Sequence, residues 1–225
     1  AITIGDPAGV GPEILLRSLP ALRRKEMTLL VVGDRAVLEK TAELLGVSPA
    51  FALTDGSSAQ DGAVNLVSPS VIERGFPPPG RDDPLCGRAS CEYVKRAVDL
   101  WKAGRADALV TLPISKKAWE LAGIHYAGHT DLLRDLVGAS DCAMIMAADA
   151  VRALLLTTHL SLREAIARLT PDLICAKARI GKEFLDRIGV KNGRMALAAL
   201  NPHAGEGGLL GLEEQTILRP AVEEL

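Results

Sequence analysis

Histidine is scarce in this chain, and its placement is uneven. The four histidines stand at 125, 129, 159 and 203, and three of them read as lying where a strand gives way to a loop. Imidazole titrates near neutrality, donates or accepts hydrogen bonds, and is the commonest metal ligand. Thr157-Thr158-His159 ends one expected strand, and Asn201-Pro202-His203-Ala204-Gly205-Glu206-Gly207-Gly208 follows another. His159 and His203 are far apart in sequence, so any pairing is spatial. Two imidazoles at one sheet edge suit zinc, cobalt or manganese, yet a tight site needs three or four ligands. The plainer alternative is a pair of hydrogen-bonded surface histidines.

Three further segments could do chemistry. Gly5-Asp6-Pro7-Ala8-Gly9-Val10-Gly11-Pro12-Glu13 leaves an expected strand and enters a helix. Its glycines let backbone approach a ligand, and the helix start offers free N–H groups to an anion. Ile14 fills the third glycine position of a dinucleotide fingerprint, and no Gly-Lys-Ser/Thr follows, so neither common phosphate loop is present. A tight strand-to-helix turn explains it equally well. In Thr111-Leu112-Pro113-Ile114-Ser115-Lys116-Lys117, a lysine past a strand end could hold a phosphate or carboxylate, or simply face solvent. In Ala127-Gly128-His129-Thr130-Asp131, Thr130 or Asp131 could cap a helix while His129 donates to a substrate oxygen. Glu206, Glu213 and Glu214 suit the start of the last helix, where its dipole favours them; Glu206 could also approach a metal.

These segments need a scaffold, and the apolar pattern supplies one. Strands are expected at 2–4, 28–32, 51–54, 64–67, 108–112, 142–147, 153–157 and 195–200. Helices are expected from Pro12 to about Arg24, from a cap at Asp34 to Leu45 closed by Gly46, and over 90–103, 116–121 closed by Gly123, 131–137, 162–169 and 171–188. A last helix begins at Leu212, and residues 73–85 form a loop. Strands alternating with helices give an α/β fold with a largely parallel sheet. The adjacent strands at 142–147 and 153–157 make a hairpin, so the second half holds a mixed sheet. A boundary near Ala127 divides the chain into domains at 1–126 and 127–225.

Composition narrows the function classes. With 48% hydrophobic and 24% charged residues the chain is neither disordered nor fibrous. A net charge of −2 gives no general attraction to nucleic acid or an anionic membrane. No apolar run reaches the roughly 18 residues of a bilayer span. Cys86, Cys91, Cys142 and Cys175 form no C-x-x-C pair, which fits reduced core thiols and a cytoplasmic protein. The helical pattern is cut at Leu225, from which a longer protein is expected.

In order, GDPAGVGPEI, TLPISKKAWELAGI, AGHTDLL, TTHLSL and NPHAGEGGLLGLEE resemble the 4-hydroxythreonine-4-phosphate dehydrogenase family of vitamin B6 biosynthesis. The resemblance covers the whole chain and implies the two-domain α/β/α fold of the isocitrate and isopropylmalate dehydrogenases. It implies NAD- or NADP-dependent oxidation and decarboxylation of 4-phosphohydroxy-L-threonine to 3-amino-2-oxopropyl phosphate. A divalent ion (Zn, Mg, Co or Mn) is implied, with His159 and His203 as ligands and His129 and Thr130 on the substrate. Lys116 is a general-base candidate by position alone. The family completes its metal site across a homodimer, using a histidine in a later segment that this chain lacks; further substrate residues and the cofactor region also come later. Asp131 stands where the family usually has glutamate, which points to a second reading: a paralogue oxidising threonate or erythronate 4-phosphate, or a cyclic diol carboxylate. A third is a catalytically silent, truncated dimerisation or binding module.

Overall fold

Short strands that are apolar on both faces need cover on both sides, and the strands of the first half have that composition. The computed structural model describes residues 1–22, 27–60, 63–73, 75, 78–148 and 151–225. They separate into two compact units, Ala1–Ala139 and Ser140–Leu225.

The first unit runs β1 (Ile2–Thr3), α1 (Gly11–Leu22), β2 (Leu30–Val32), α2 (Arg35–Leu45), β3 (Phe51–Leu53), β4 (Val64–Val67), α3 (Pro84–Lys102), β5 (Val110–Thr111), α4 (Lys116–Leu121) and α5 (His129–Val137). Its five strands form one parallel sheet in the order β3-β4-β2-β1-β5. Ile4, Val31, Val32 and Leu66 are wholly buried in the main core, which helices α1, α2 and α3 help to close. A satellite cluster of Cys91, Val94, Trp119 and Leu132 joins α3, α4 and α5. The order carries a functional consequence. From β1 the chain steps to β2 on one side, and it later returns to β5 on the other. That reversal marks a topological switch point at the carboxyl ends of β1 and β5, the position where open α/β sheets bind ligands.

The second unit runs β6 (Met144–Ala148), β7 (Val151–Leu155), α6 (Leu162–Ala167), α7 (Pro171–Arg187), a 3-10 turn (Ala204–Gly208), a π-helical turn (Glu214–Leu218) and α8 (Arg219–Glu224). β6 and β7 form the expected hairpin, an antiparallel pair in which Met144 faces Leu155. The buried core is small: Leu169, Ile174, Cys175, Leu218 and Ala221. The buried Lys177 ammonium is held by the Asp141 carboxylate and the Cys142 carbonyl, which ties α7 to the approach to β6.

Several expectations shift. The expected end of the first helix at Arg24 lies outside the described residues, as do parts of the 73–85 loop. α3 begins at Pro84 rather than Ser90, because Asp83 caps it through Leu85 N–H (2.8 Å) and Pro84 needs no donor at the first turn. Of the apolar residues whose helical spacing predicts a buried face on α3, Val94, Ala97 and Val98 are buried, whereas Trp101 is 41% exposed. β5 is a two-residue edge strand with Val110 exposed, not the buried strand expected over 108–112. No strand forms at 195–200, where the described backbone finds no ladder partner. Asp34 flanks α2 but makes no side-chain cap. Its carboxylate instead accepts from Ile72 N–H (2.6 Å) and the Tyr93 hydroxyl (2.9 Å). The units divide at Ala139, later than the boundary expected near Ala127, because Leu132 of α5 packs into the α3–α4 cluster.

Candidate functional site

β1 delivers the chain into the loop 5–10, and its neighbour β5 delivers it into 112–115. The two loops leave the sheet side by side. The Asp6 N–H donates to the Pro113 carbonyl at 2.9 Å. Gly5 has φ of +72°, and a Cβ there would stand 2.2 Å from the Pro113 oxygen, so only glycine permits this approach. Gly11 acts likewise at the start of α1, where a Cβ would lie 2.1 Å from the Ile4 oxygen. The segment before α3 closes on the same place. Gly80 N–H donates to the Ala8 carbonyl at 2.8 Å, and the Ser115 hydroxyl donates to Asp82 at 2.5 Å.

Asp6 is nearly inaccessible. Burial pushes its carboxyl pKa up, the Ala8 N–H bond at 2.8 Å opposes that, and the nearby Asp82 adds to the rise. Cys86 sits behind it, with its pKa pushed up to about 12 by burial, then by Asp6 and Asp83. It is therefore an inert thiol.

Ser115 caps α4 by accepting from Ala118 N–H at 3.0 Å, which sets Lys116 as the first helical residue. Lys116 is exposed, and its Cε lies 3.9 Å from where a Cβ on Gly128 would stand. Gly128 is the residue before α5, so Lys116 lies beside the start of the helix that carries His129 and Thr130. Neither Thr130 nor Asp131 is the cap expected from sequence; both lie inside the first turn, because α5 already begins at His129. His129 is half-buried, its ring 5.9 Å edge-on from that of Trp119. Burial lowers its pKa, so it is neutral at pH 7. Its Nε2 is buried without a hydrogen-bond partner among the described residues, at a cost of about 1–3 kcal/mol. A substrate oxygen would offset that cost.

The first three segments thus converge at the switch between β1 and β5. The remaining two lie in the other unit. His159 follows β7 on an exposed turn with φ of +58°. Ser161 and Glu164 then form a capping box that starts α6. His203 is exposed too, but it does not follow a strand as expected. The Asn201 side-chain oxygen accepts from His203 N–H (3.1 Å) and Gly205 N–H (3.3 Å). After His203 every residue from Ala204 to Gly208 has positive φ, two of them not glycine. Glu214 supports this turn. One carboxylate oxygen accepts from Leu200 N–H at 3.1 Å, and the other is buried without a partner among the described residues.

Among the described residues no group of three or more His, Cys, Asp or Glu side chains is placed to hold a metal. The two exposed imidazoles have the right donor chemistry for two positions of a divalent shell and supply no more than that. Sequence reasoning also missed Trp119 and Ser90. The Trp119 N–H donates to the Ser90 hydroxyl at 2.8 Å. No local spacing signals this pair, because the bond joins α3 to α4.

Residues 25–225 match the family model described as "Pyridoxal phosphate biosynthetic protein PdxA". A curated relative from Beijerinckia indica, named 4-hydroxythreonine-4-phosphate dehydrogenase, is 38% identical over 99% of this chain and 66% of its own length. One from Fusobacterium nucleatum, provisionally named D-threonate 4-phosphate dehydrogenase, is 34% identical over 100% of this chain and 68% of its own. The crystal structure of a 4-hydroxythreonine-4-phosphate dehydrogenase from Klebsiella pneumoniae superposes with a TM-score of 0.88 at 33% identity, covering 99% of this chain and 69% of that one. The chain thus spans about two thirds of the length of these relatives.

Proposed function

We propose, because this chain belongs to the PdxA family of pyridoxal phosphate biosynthetic proteins, that it forms the substrate-binding part of an NAD(P)- and divalent-metal-dependent dehydrogenase. The substrate we favour is 4-phosphohydroxy-L-threonine, oxidised and decarboxylated to 3-amino-2-oxopropyl phosphate in vitamin B6 synthesis. The observation that carries this reading is the convergence of the 5–11, 112–116 and 128–130 segments on one sheet edge, beside an imidazole nitrogen that lacks a partner.

The residues take distinct parts. His129, neutral at pH 7, hydrogen-bonds a substrate oxygen, and Thr130 adds a hydroxyl beside it. Lys116 would take the proton of the substrate alcohol, and a nicotinamide, when bound, would supply the hydride acceptor. Loss of carbon dioxide from the resulting β-keto acid leaves an enolate, which a proton then quenches. His159 and His203 are proposed as two ligands of the divalent ion, the remainder coming from a partner subunit in a homodimer. Such an ion, when bound, would supply Lewis-acid chemistry. No residue of this chain is assigned to the nicotinamide cofactor. Among the described residues no helix is long and apolar enough to cross a membrane, and the cytoplasmic placement belongs to this proposal.

Threonate 4-phosphate is the second reading, favoured by the Fusobacterium relative and by Asp131 after Gly128-His129-Thr130. A screen of NAD(P) reduction over hydroxythreonine, threonate and erythronate 4-phosphates, with and without EDTA, separates the two. EDTA-sensitive turnover of the first supports the vitamin B6 role. Turnover of threonate phosphate alone moves the assignment, and no turnover of any overturns it.

A further inference from the structure

α3 and α4 approach so closely that a Cβ on Gly87 would stand 2.1 Å from the Ala118 oxygen. This contact brings Ser90 beneath Trp119. The Ser90 hydroxyl donates to the Gly87 carbonyl at 2.9 Å and accepts from the Trp119 indole N–H at 2.8 Å. Both side chains are fully buried, so the indole has one orientation fixed by packing and by a hydrogen bond. Within its packed cluster it also meets the His129 ring, 5.9 Å away at 65°.

We propose that Trp119, oriented by Ser90, is a positioning residue that fixes the plane of the His129 imidazole for the phosphorylated substrate. The inference deepens the substrate-site reading and rests on it. An indole edge-on to the imidazole restricts rotation about its last side-chain torsion, which is otherwise broad. It also keeps water from one side of the ring, in line with the burial that holds His129 neutral. Most of the charged groups on the surrounding elements are paired with one another. Glu92 and Lys95 of α3 pair with each other at 2.6 Å, Asp131 and Arg134 of α5 pair at 3.5 Å, and on α4 Lys116 reaches toward Gly128 while Lys117 pairs with Glu120 at 3.4 Å. The indole is thus the side chain best placed to set both the ring's orientation and its hydration.

The test uses Trp119→Leu, Trp119→Phe and Ser90→Ala in the protein, with steady-state kinetics and NMR titration of the His129 ring. Trp119→Leu is expected to raise KM for the phosphorylated substrate about tenfold with kcat within twofold, and to move the His129 pKa up toward 6.5. Trp119→Phe keeps a ring and restores most of both, and Ser90→Ala falls between. An unchanged His129 titration in Trp119→Leu overturns the proposal, as does a KM change without a titration change. Should Trp119→Leu fail to fold, Trp119→Phe and Ser90→Ala decide: wild-type titration in both overturns it. His129→Ala separates this from the parent reading. Wild-type KM there removes the substrate role of His129, while the NMR arm still reads whether Trp119 sets the ring.

Discussion

Lys116 stands at a helix start capped by Ser115 and His129 at one where its ring meets buried Trp119, whereas His159 and His203 stand on exposed turns with positive backbone angles at or just beyond them. The difference is in what holds each residue. In the first unit, parallel pairing of β1 with β5 forces two loops together, and glycines at 5 and 11 let them close. A satellite core then fixes the helices that follow. In the second unit the core is small, and the turn after His203 depends on Asn201 and Glu214. The left-handed residues His159, Ala204 and Glu206 each carry about 1–3 kcal/mol of strain. Such strain at candidate ligands is consistent with a functional constraint. The candidate residues of the first unit are thus held by packing, whereas the two exposed imidazoles of the second stand on turns.

The contrast can be broken by substitution, and the largest effect belongs to the exposed histidines. His159→Ala and His203→Ala should each abolish metal-stimulated NAD(P) reduction while circular dichroism and melting stay near wild type. Full turnover by either variant would remove it from the metal site. Next come the glycines. Gly5→Ala adds a Cβ against backbone in a left-handed conformation and should cost about 3 kcal/mol in urea unfolding. Gly207→Ala, with φ of +68° and nothing within 4 Å, should cost about 1 kcal/mol. Equal costs would mean that the first unit is no more tightly built than the second. Third, His129→Ala should raise substrate KM about tenfold and leave metal affinity within twofold, a size set by one lost hydrogen bond of about 1.4 kcal/mol. Equal loss of both would merge the two roles.

The smallest effect is a pH dependence. Burial places the folded pKa of His129 below its ordinary 6.5, so the unfolded chain takes up the proton first. The neutral ring therefore costs no stability above about pH 6.5, and stability falls as pH drops from there toward the lowered folded value. The slope cannot exceed about 1.4 kcal/mol per pH unit. Comparing His129→Gln with the wild type across pH 5–7 isolates it; identical slopes would contradict a buried neutral imidazole.

The parallel sheet and the hairpin were legible because β-branched runs and helical periodicity are local signals. Lys116–Leu121 was read to the residue, since Ser115 and the glycine at 123 mark its ends. The edge position of β5 was not legible, because strand order is a tertiary outcome. The strand expected at 195–200 did not form, as an apolar run becomes a strand only where a ladder partner exists. The Asp34 carboxylate looked like a cap and instead binds a loop and Tyr93, which no spacing reveals. His129 was visible from its glycine neighbour. The tryptophan that braces it was not, because their contact joins two helices.

Histidine NMR tests a substrate site in the first unit most directly. With ring-labelled histidines and a four-carbon acid phosphate added stepwise, the His129 signals should shift saturably, whereas exposed His125 stays put. Motionless His129 signals at saturating ligand, or equal drift at all four rings, would contradict a substrate site at the carboxyl ends of β1 and β5.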